Sequence, residues 1–124
     1  MRSLLLLVIV ISFQTHATRV IEATALTSDL ANKLGFEVIK TRDKSGLTIE
    51  LKGPSKLLNS CKPLATGHFI IVNNNEIAAF ISSANPSEPK STSFIASISN
   101  HELVTFIDYQ CENTAKRYTV SSND

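Results

Sequence analysis

Two cysteines, three histidines and eleven carboxylates are the side chains of this sequence best equipped for chemistry, and their spacing limits what they can do. Cys61 and Cys111 stand fifty positions apart. Metal and redox sites draw on closely spaced cysteines, whereas two cysteines in an oxidising compartment have a single pairing open to them. A disulfide is the expected outcome, and its loop is worth about 4 kcal/mol in the chain-entropy treatment. His101-Glu102 begins like a zinc-binding helix, but the place of the second histidine is taken by Thr105. Both ligands must share one helical face, so this segment reads as a polar hairpin turn. His68 opens an apolar run and reads as a partly buried polar residue. Glu50, Glu76, Asp108 and Glu112 would do glycosidase work only if two of them met in space; their strand positions place them on a solvated face instead. The sequence has no G-x-S-x-G turn, no glycine-rich phosphate loop, and no nucleophile flanked by a base and its orienter. Neither an enzyme nor a metal or cofactor site is expected.

The elements that must position these residues are mostly strands. From Phe36 onward, short β-branched and aromatic runs alternate with turn residues. Seven strands are predicted: Phe36 to Arg42, Leu47 to Lys52, His68 to Asn73, Glu76 to Ser83, Ser93 to Ile98, Leu103 to Cys111 and Arg117 to Ser121. The second has clean period two, with Leu47, Ile49 and Leu51 on one face and Thr48, Glu50 and Lys52 on the other. The third, HFIIV, is apolar on both faces and belongs inside a sheet. The sixth sets Leu103, Ile107, Tyr109 and Cys111 on one face and mixes Val104 and Phe106 with Asp108 and Gln110 on the other. Ahead of the strands, Leu26, Leu30 and Leu34 recur every fourth position and Gly35 follows. That pattern predicts a helix over Thr27 to Leu34 with a left-handed stop. The expected fold is mainly β, an antiparallel β-sandwich of about seven strands with immunoglobulin-like architecture and a short N-terminal helix. A single antiparallel sheet with the helix packed on one face is the alternative.

The N-terminus has Arg2, an apolar run from Leu4 to Phe13 and the small-residue ending Thr15-His16-Ala17, the layout of a secretory signal peptide cleaved after Ala17. The run is about half the length a membrane-spanning helix needs. Four segments are expected: the leader at 1–17, an N-terminal segment with the helix at 18–35, the β domain at 36–121 and a tail at 122–124. Removing the leader leaves eleven basic against eleven acidic residues, a balance that disfavours nucleic acid as partner. The expected location is periplasmic or secreted, with no transmembrane anchor after cleavage.

The predicted connections are unequal. After odd-numbered strands they are short (DKSG, NN, SNHE), and after even-numbered strands long (GPSKLLNSCKPLATG, ANPSEPKST, ENTAK). If successive strands run antiparallel, all the long loops share one end. Both cysteines fall there, as do Lys56, Lys62, Lys90 and Lys116, with Arg117 at the rim. Leu57 and Leu58 lie in the same segment as Cys61, and their burial separates an exposed anchor from a cap on the core.

The stretch YQCENTAKRYTV resembles two families. Immunoglobulin domains set a tyrosine two residues before the second cysteine of their inter-sheet disulfide, as Tyr109 and Cys111 stand here; this chain has no tryptophan, and Cys61 sits in loop-like sequence. The same dozen residues are similar to a strand-turn-strand of the periplasmic inhibitors of c-type lysozymes, at the opposite end of the chain and without their Ser-Gly loop. Neither resemblance transfers a functional residue. The expected function is a binding module acting through its long-loop end on a protein or glycan partner, with an acidic surface the best match to the lysines. The alternative is an inhibitor of a secreted hydrolase that inserts PSKLLNSCKP into a cleft; a small enzyme ranks last.

Overall fold

Alternation in Gly46–Lys52 (β3) buries Leu47, Ile49 and Leu51 and turns Thr48, Glu50 and Lys52 outward. A computed structural model, which describes residues 21–58 and 60–124, places β3 between two antiparallel neighbours, Glu37–Arg42 (β2) and Lys90–Ala96 (β6). On the outer face, Glu50 lies 3.4 Å from both Lys52 and Lys90. Burial alone would raise its pKa, but the two ammonium groups outweigh it and hold the carboxyl below its usual range.

A second sheet has five strands: Ile21–Ala25 (β1), Thr114–Ser121 (β8), Glu102–Cys111 (β7), Lys62–Val72 (β4) and Asn75–Ser83 (β5), in that spatial order. Every pairing is antiparallel except that of β1 with β8. Leu47, Ile49 and Leu51 of the smaller sheet meet Ile107, Tyr109, Tyr118 and Val120 of the larger in one buried cluster. The Ser91 hydroxyl ties the two sheets by donating to the Gly67 carbonyl at 3.0 Å. The chain is mainly β with two sheets, so the single-sheet alternative is set aside.

The helix forms where the leucine spacing and Gly35 place it, over Ser28–Leu34 (α1). The Thr27 hydroxyl accepts the Leu30 N–H as N-cap, and Gly35 closes the end at φ 86°. Its fully buried residue is Ala31, while Leu26 and Leu34 rest only partly against the core. Leu26 lies ahead of the N-cap, where its N–H donates to the Thr119 carbonyl of β8, so the three leucines do not form one helical line.

Four strands differ from the sequence reading by more than one residue. β1 was not expected: IEATA has small, mostly exposed side chains and no buried alternation, and it exists as an edge added to β8. β4 starts at Lys62 rather than His68, although Pro63 lacks an N–H for a ladder. The strand tolerates it because pairing with β5 begins only at Ala65 and the β7 register shifts between Pro63 and Ala65. β6 ends at Ala96, and Ile98 lies almost wholly exposed beyond it. Its inward positions include Ser91 and Ser93, which an apolar pattern cannot reveal. β8 starts at Thr114, opposite Cys111, so the expected loop ENTAK contracts to a turn at Glu112 and Asn113. The leader at 1–17 and its cleavage after Ala17 lie outside the described residues.

Candidate functional site

The strand ends meet as the antiparallel succession of strands implies, although the connection after β7, expected to be long, is a two-residue turn. The Gly53 N–H, just past β3, donates to the Pro89 carbonyl just before β6, and the Ala84 N–H, just past β5, donates to the Leu64 carbonyl in β4. The Cys61–Cys111 disulfide joins the segment ahead of β4 to the last residue of β7. The connections at 53–61, 84–89 and 112–113 therefore share one end. The opposite end carries two tight turns and the connection at 97–101: Asp43 accepts the Ser45 and Gly46 N–H groups, and Asn73 and Asn74 both take positive φ, as a two-residue hairpin turn requires.

Beneath the loop end, Tyr109 is fully buried and donates its hydroxyl to the Pro54 carbonyl at 2.8 Å. Phe36 and Tyr118 meet its ring edge-on at 5.9 and 6.0 Å. Burial, with a smaller contribution from Tyr118, pushes its phenol well above the usual range. A Cβ on Gly53 would run into the Tyr109 hydroxyl, so glycine is what lets the chain cross over the ring.

The two leucines divide. Leu57 is 1% exposed and belongs to the core cluster, whereas Leu58 is 52% exposed. Leu57 and Cys61 exchange backbone hydrogen bonds in both directions, at 3.0 and 2.9 Å. One end of this loop is thus anchored by a buried leucine and the other by a disulfide. Leu58 sits between them with φ 50°, a left-handed conformation that costs a non-glycine residue about 1 kcal/mol. The same segment contributes Ser55, Lys56 and Ser60 to a groove of about 480 Å³ that is completed by Lys62, Pro63 and Pro86.

Of the residues singled out in the sequence, Lys56 and Leu58 lie in this loop and Lys62 opens β4 just after it, and Lys56 and Lys62 line the groove. The others are differently employed. Leu57 caps the core. Lys90 pairs with Glu50, and Lys116 lies half-buried opposite Tyr109 in the β7–β8 ladder. Arg117 gives two hydrogen bonds to Asp108, at 2.8 and 3.0 Å, and lies 3.9 Å over the Phe106 ring. It is a structural cation on the outer face of the larger sheet, away from the groove. This pair was missed in the sequence because it depends on the β7–β8 register.

The remaining candidates do not converge. Glu50 is on the outer face of the smaller sheet, Glu76 near the turn at 73–74 and Glu112 at the loop end, while Asp108, on the outer face of the larger sheet, is buried under Arg117 and not solvated as its strand position suggested. His68 stacks on Phe80 at 4.9 Å, and His101 precedes β7 in a turn. Among the described residues, no three His, Cys, Asp or Glu side chains group to hold a metal, and no helix is long and apolar enough to cross a membrane. A second groove of about 700 Å³ runs beside α1 between Ala25, Phe36 and Val120. Lys40, on its wall, is held by the Ser121 and Asp124 carbonyls at 2.8 and 2.9 Å.

Comparison with known protein families, with curated proteins and with solved structures returned no match.

Proposed function

We propose that this chain is an exported binding module, an immunoglobulin-like sandwich stapled by its disulfide, whose loop end grips an acidic protein or polyanionic glycan. The observation that carries this reading is Leu58, an apolar residue held outward in a strained backbone between a buried anchor and a disulfide. Strained, clamped residues concentrate where ligands are held, and a pre-ordered loop spares the entropy that binding otherwise costs. Lys56 and Lys62 give the adjoining groove its charge, while Ser55 and Ser60 supply hydrogen-bonding groups. Export is supported by Arg2, the apolar run Leu4 to Phe13 and Ala17, and by a disulfide of the kind that persists in oxidising compartments.

A second reading, inhibition of a secreted hydrolase, draws on the same loop, because a single protruding leucine on a rigid support suits insertion into a cleft. One experiment serves both: capture by the immobilised chain from residue 18 onward out of the extracytoplasmic fraction of its own source, in parallel with Lys56→Glu/Lys62→Glu. The expected result is a bound component released by salt and weakened at least tenfold by the double substitution, with the melting temperature unchanged. Hydrolase activity silenced in the bound fraction selects the inhibitor reading. Equal retention by both proteins overturns the basic groove as the binding site.

A further inference from the structure

Among the described residues the outer edge of β5 has no strand paired to it, and it is built unlike the other sheet edges. Ile77, Phe80 and Ile81 are 57%, 58% and 62% exposed, and only Ala78 in the strand is even half-buried. The smaller sheet packs over β7 and β4, and β5 projects past it. From Ile77 to Ser87 the chain carries no charge. Proteins normally blunt such edges with charge, proline, a bulge or shortness. β1 is five residues long and carries Glu22, β2 carries Glu37, Lys40 and Arg42, and β6 begins with Lys90. The single irregularity against β5 falls between Ile70 and Ile71 and leaves Ala78 to Ser83 regularly paired with β4.

We infer that β5 pairs antiparallel with β5 of a second copy of this chain, joining two five-stranded sheets into one of ten. Directly opposed residues of a continuous sheet lie on the same face, so the two-fold axis must pass at a residue position rather than between two. Centred on Phe80, it sets Phe80 opposite its own copy, Ala79 opposite Ile81, and Ala78 opposite Ser82. Small side chains then face large ones on one side of the sheet. On the other, the stacked His68 and Phe80 rings form a row of four with their symmetry mates. Charge selects the direction of pairing. Antiparallel pairing puts the two Glu76 side chains at opposite ends of the ladder, about 27 Å apart at 3.4 Å per residue. That is well beyond the screening length of about 10 Å at 0.1 M salt, whereas parallel pairing would stack them. One strand pair is at the low end of interface size, so the dimer is reversible and concentration-dependent.

Sedimentation velocity over a dilution series up to roughly millimolar protein, with melting curves by circular dichroism, tests this. The wild type should shift toward twice the monomer mass. Ile81→Lys and Phe80→Glu, both at exposed positions, should weaken self-association at least tenfold while keeping the melting temperature. Phe80→Cys should cross-link to a covalent dimer under mild oxidation, and Asn75→Cys should not. A wild type monomeric at every concentration, a dimer indifferent to both edge substitutions, or cross-linking at residue 75 instead of 80 would each overturn the inference. So would a monomer that gains mass only on adding an extended foreign peptide.

Discussion

Tyr109 shows how much one side chain carries at the loop end: its ring fills the core, its hydroxyl holds Pro54, and its size dictates glycine at position 53. Tyr109→Phe should cost about 1 kcal/mol at neutral pH, read by urea denaturation, because the Pro54 carbonyl loses its donor. The pH dependence has a definite sign. Burial, and secondarily Tyr118, raise the folded phenol's pKa above the unfolded value of about 10. Its stabilisation is therefore complete below pH 10 and is lost as pH rises beyond it, since only the unfolded chain ionises. Wild type should lose stability more steeply than Tyr109→Phe above pH 10, and parallel curves would contradict this. At the outer face, Arg117→Ala strands a buried carboxylate and should cost about 3 kcal/mol, whereas Asp108→Leu with Arg117→Met together should cost much less. Thr105 is fully buried, and its hydroxyl has no hydrogen-bond partner among the described residues. Thr105→Val should therefore leave stability unchanged or raise it by about 1 kcal/mol. The inward face of Tyr109 and Cys111 was legible because side chains alternate along a strand. The Asp108–Arg117 pair was not, because cross-strand partners depend on turn length, and the real two-residue turn sets them opposite each other where a five-residue loop would not.

At the scale of elements, the disulfide and the segment it tethers act together. Cys61→Ala/Cys111→Ala should lower stability by about 4 kcal/mol and also free one end of the loop that holds Leu58. Limited proteolysis should then cut first within residues 53–61, and cutting elsewhere would show that the loop does not rely on the bridge. Gly53→Ala forces a methyl group into the Tyr109 hydroxyl and should cost about 2 kcal/mol, in the range of overpacked cores. The capped helix and the clean alternation of β3 were readable because each is specified within its own segment. β1 and the first half of β4 were not, since they are strands by virtue of a neighbour: β1 lies on β8, and β4 accepts Pro63 where β5 has not yet joined it.

For the whole molecule, the convergence of the connections at 53–61, 84–89 and 112–113 survived boundary errors of several residues, and the contraction of the third to a tight turn, because it depends on the number of strands and not on where each begins. β1 precedes all the others and leaves that alternation intact. Two surfaces result, the clamped loop around Leu58 and the open edge of β5. Pairing through β5 would point the two loop ends in opposite directions, so a dimer would bridge two partners rather than grip one surface twice. The most direct test of the loop as a binding site is Leu58→Asn, which suits the left-handed backbone and removes the apolar anchor. Its affinity for the captured partner should be measured by calorimetry beside its melting temperature. The expected result is binding weakened at least tenfold in a protein that melts at the same temperature or higher. Unchanged affinity would show that Leu58 is not the anchor and that the partner binds elsewhere.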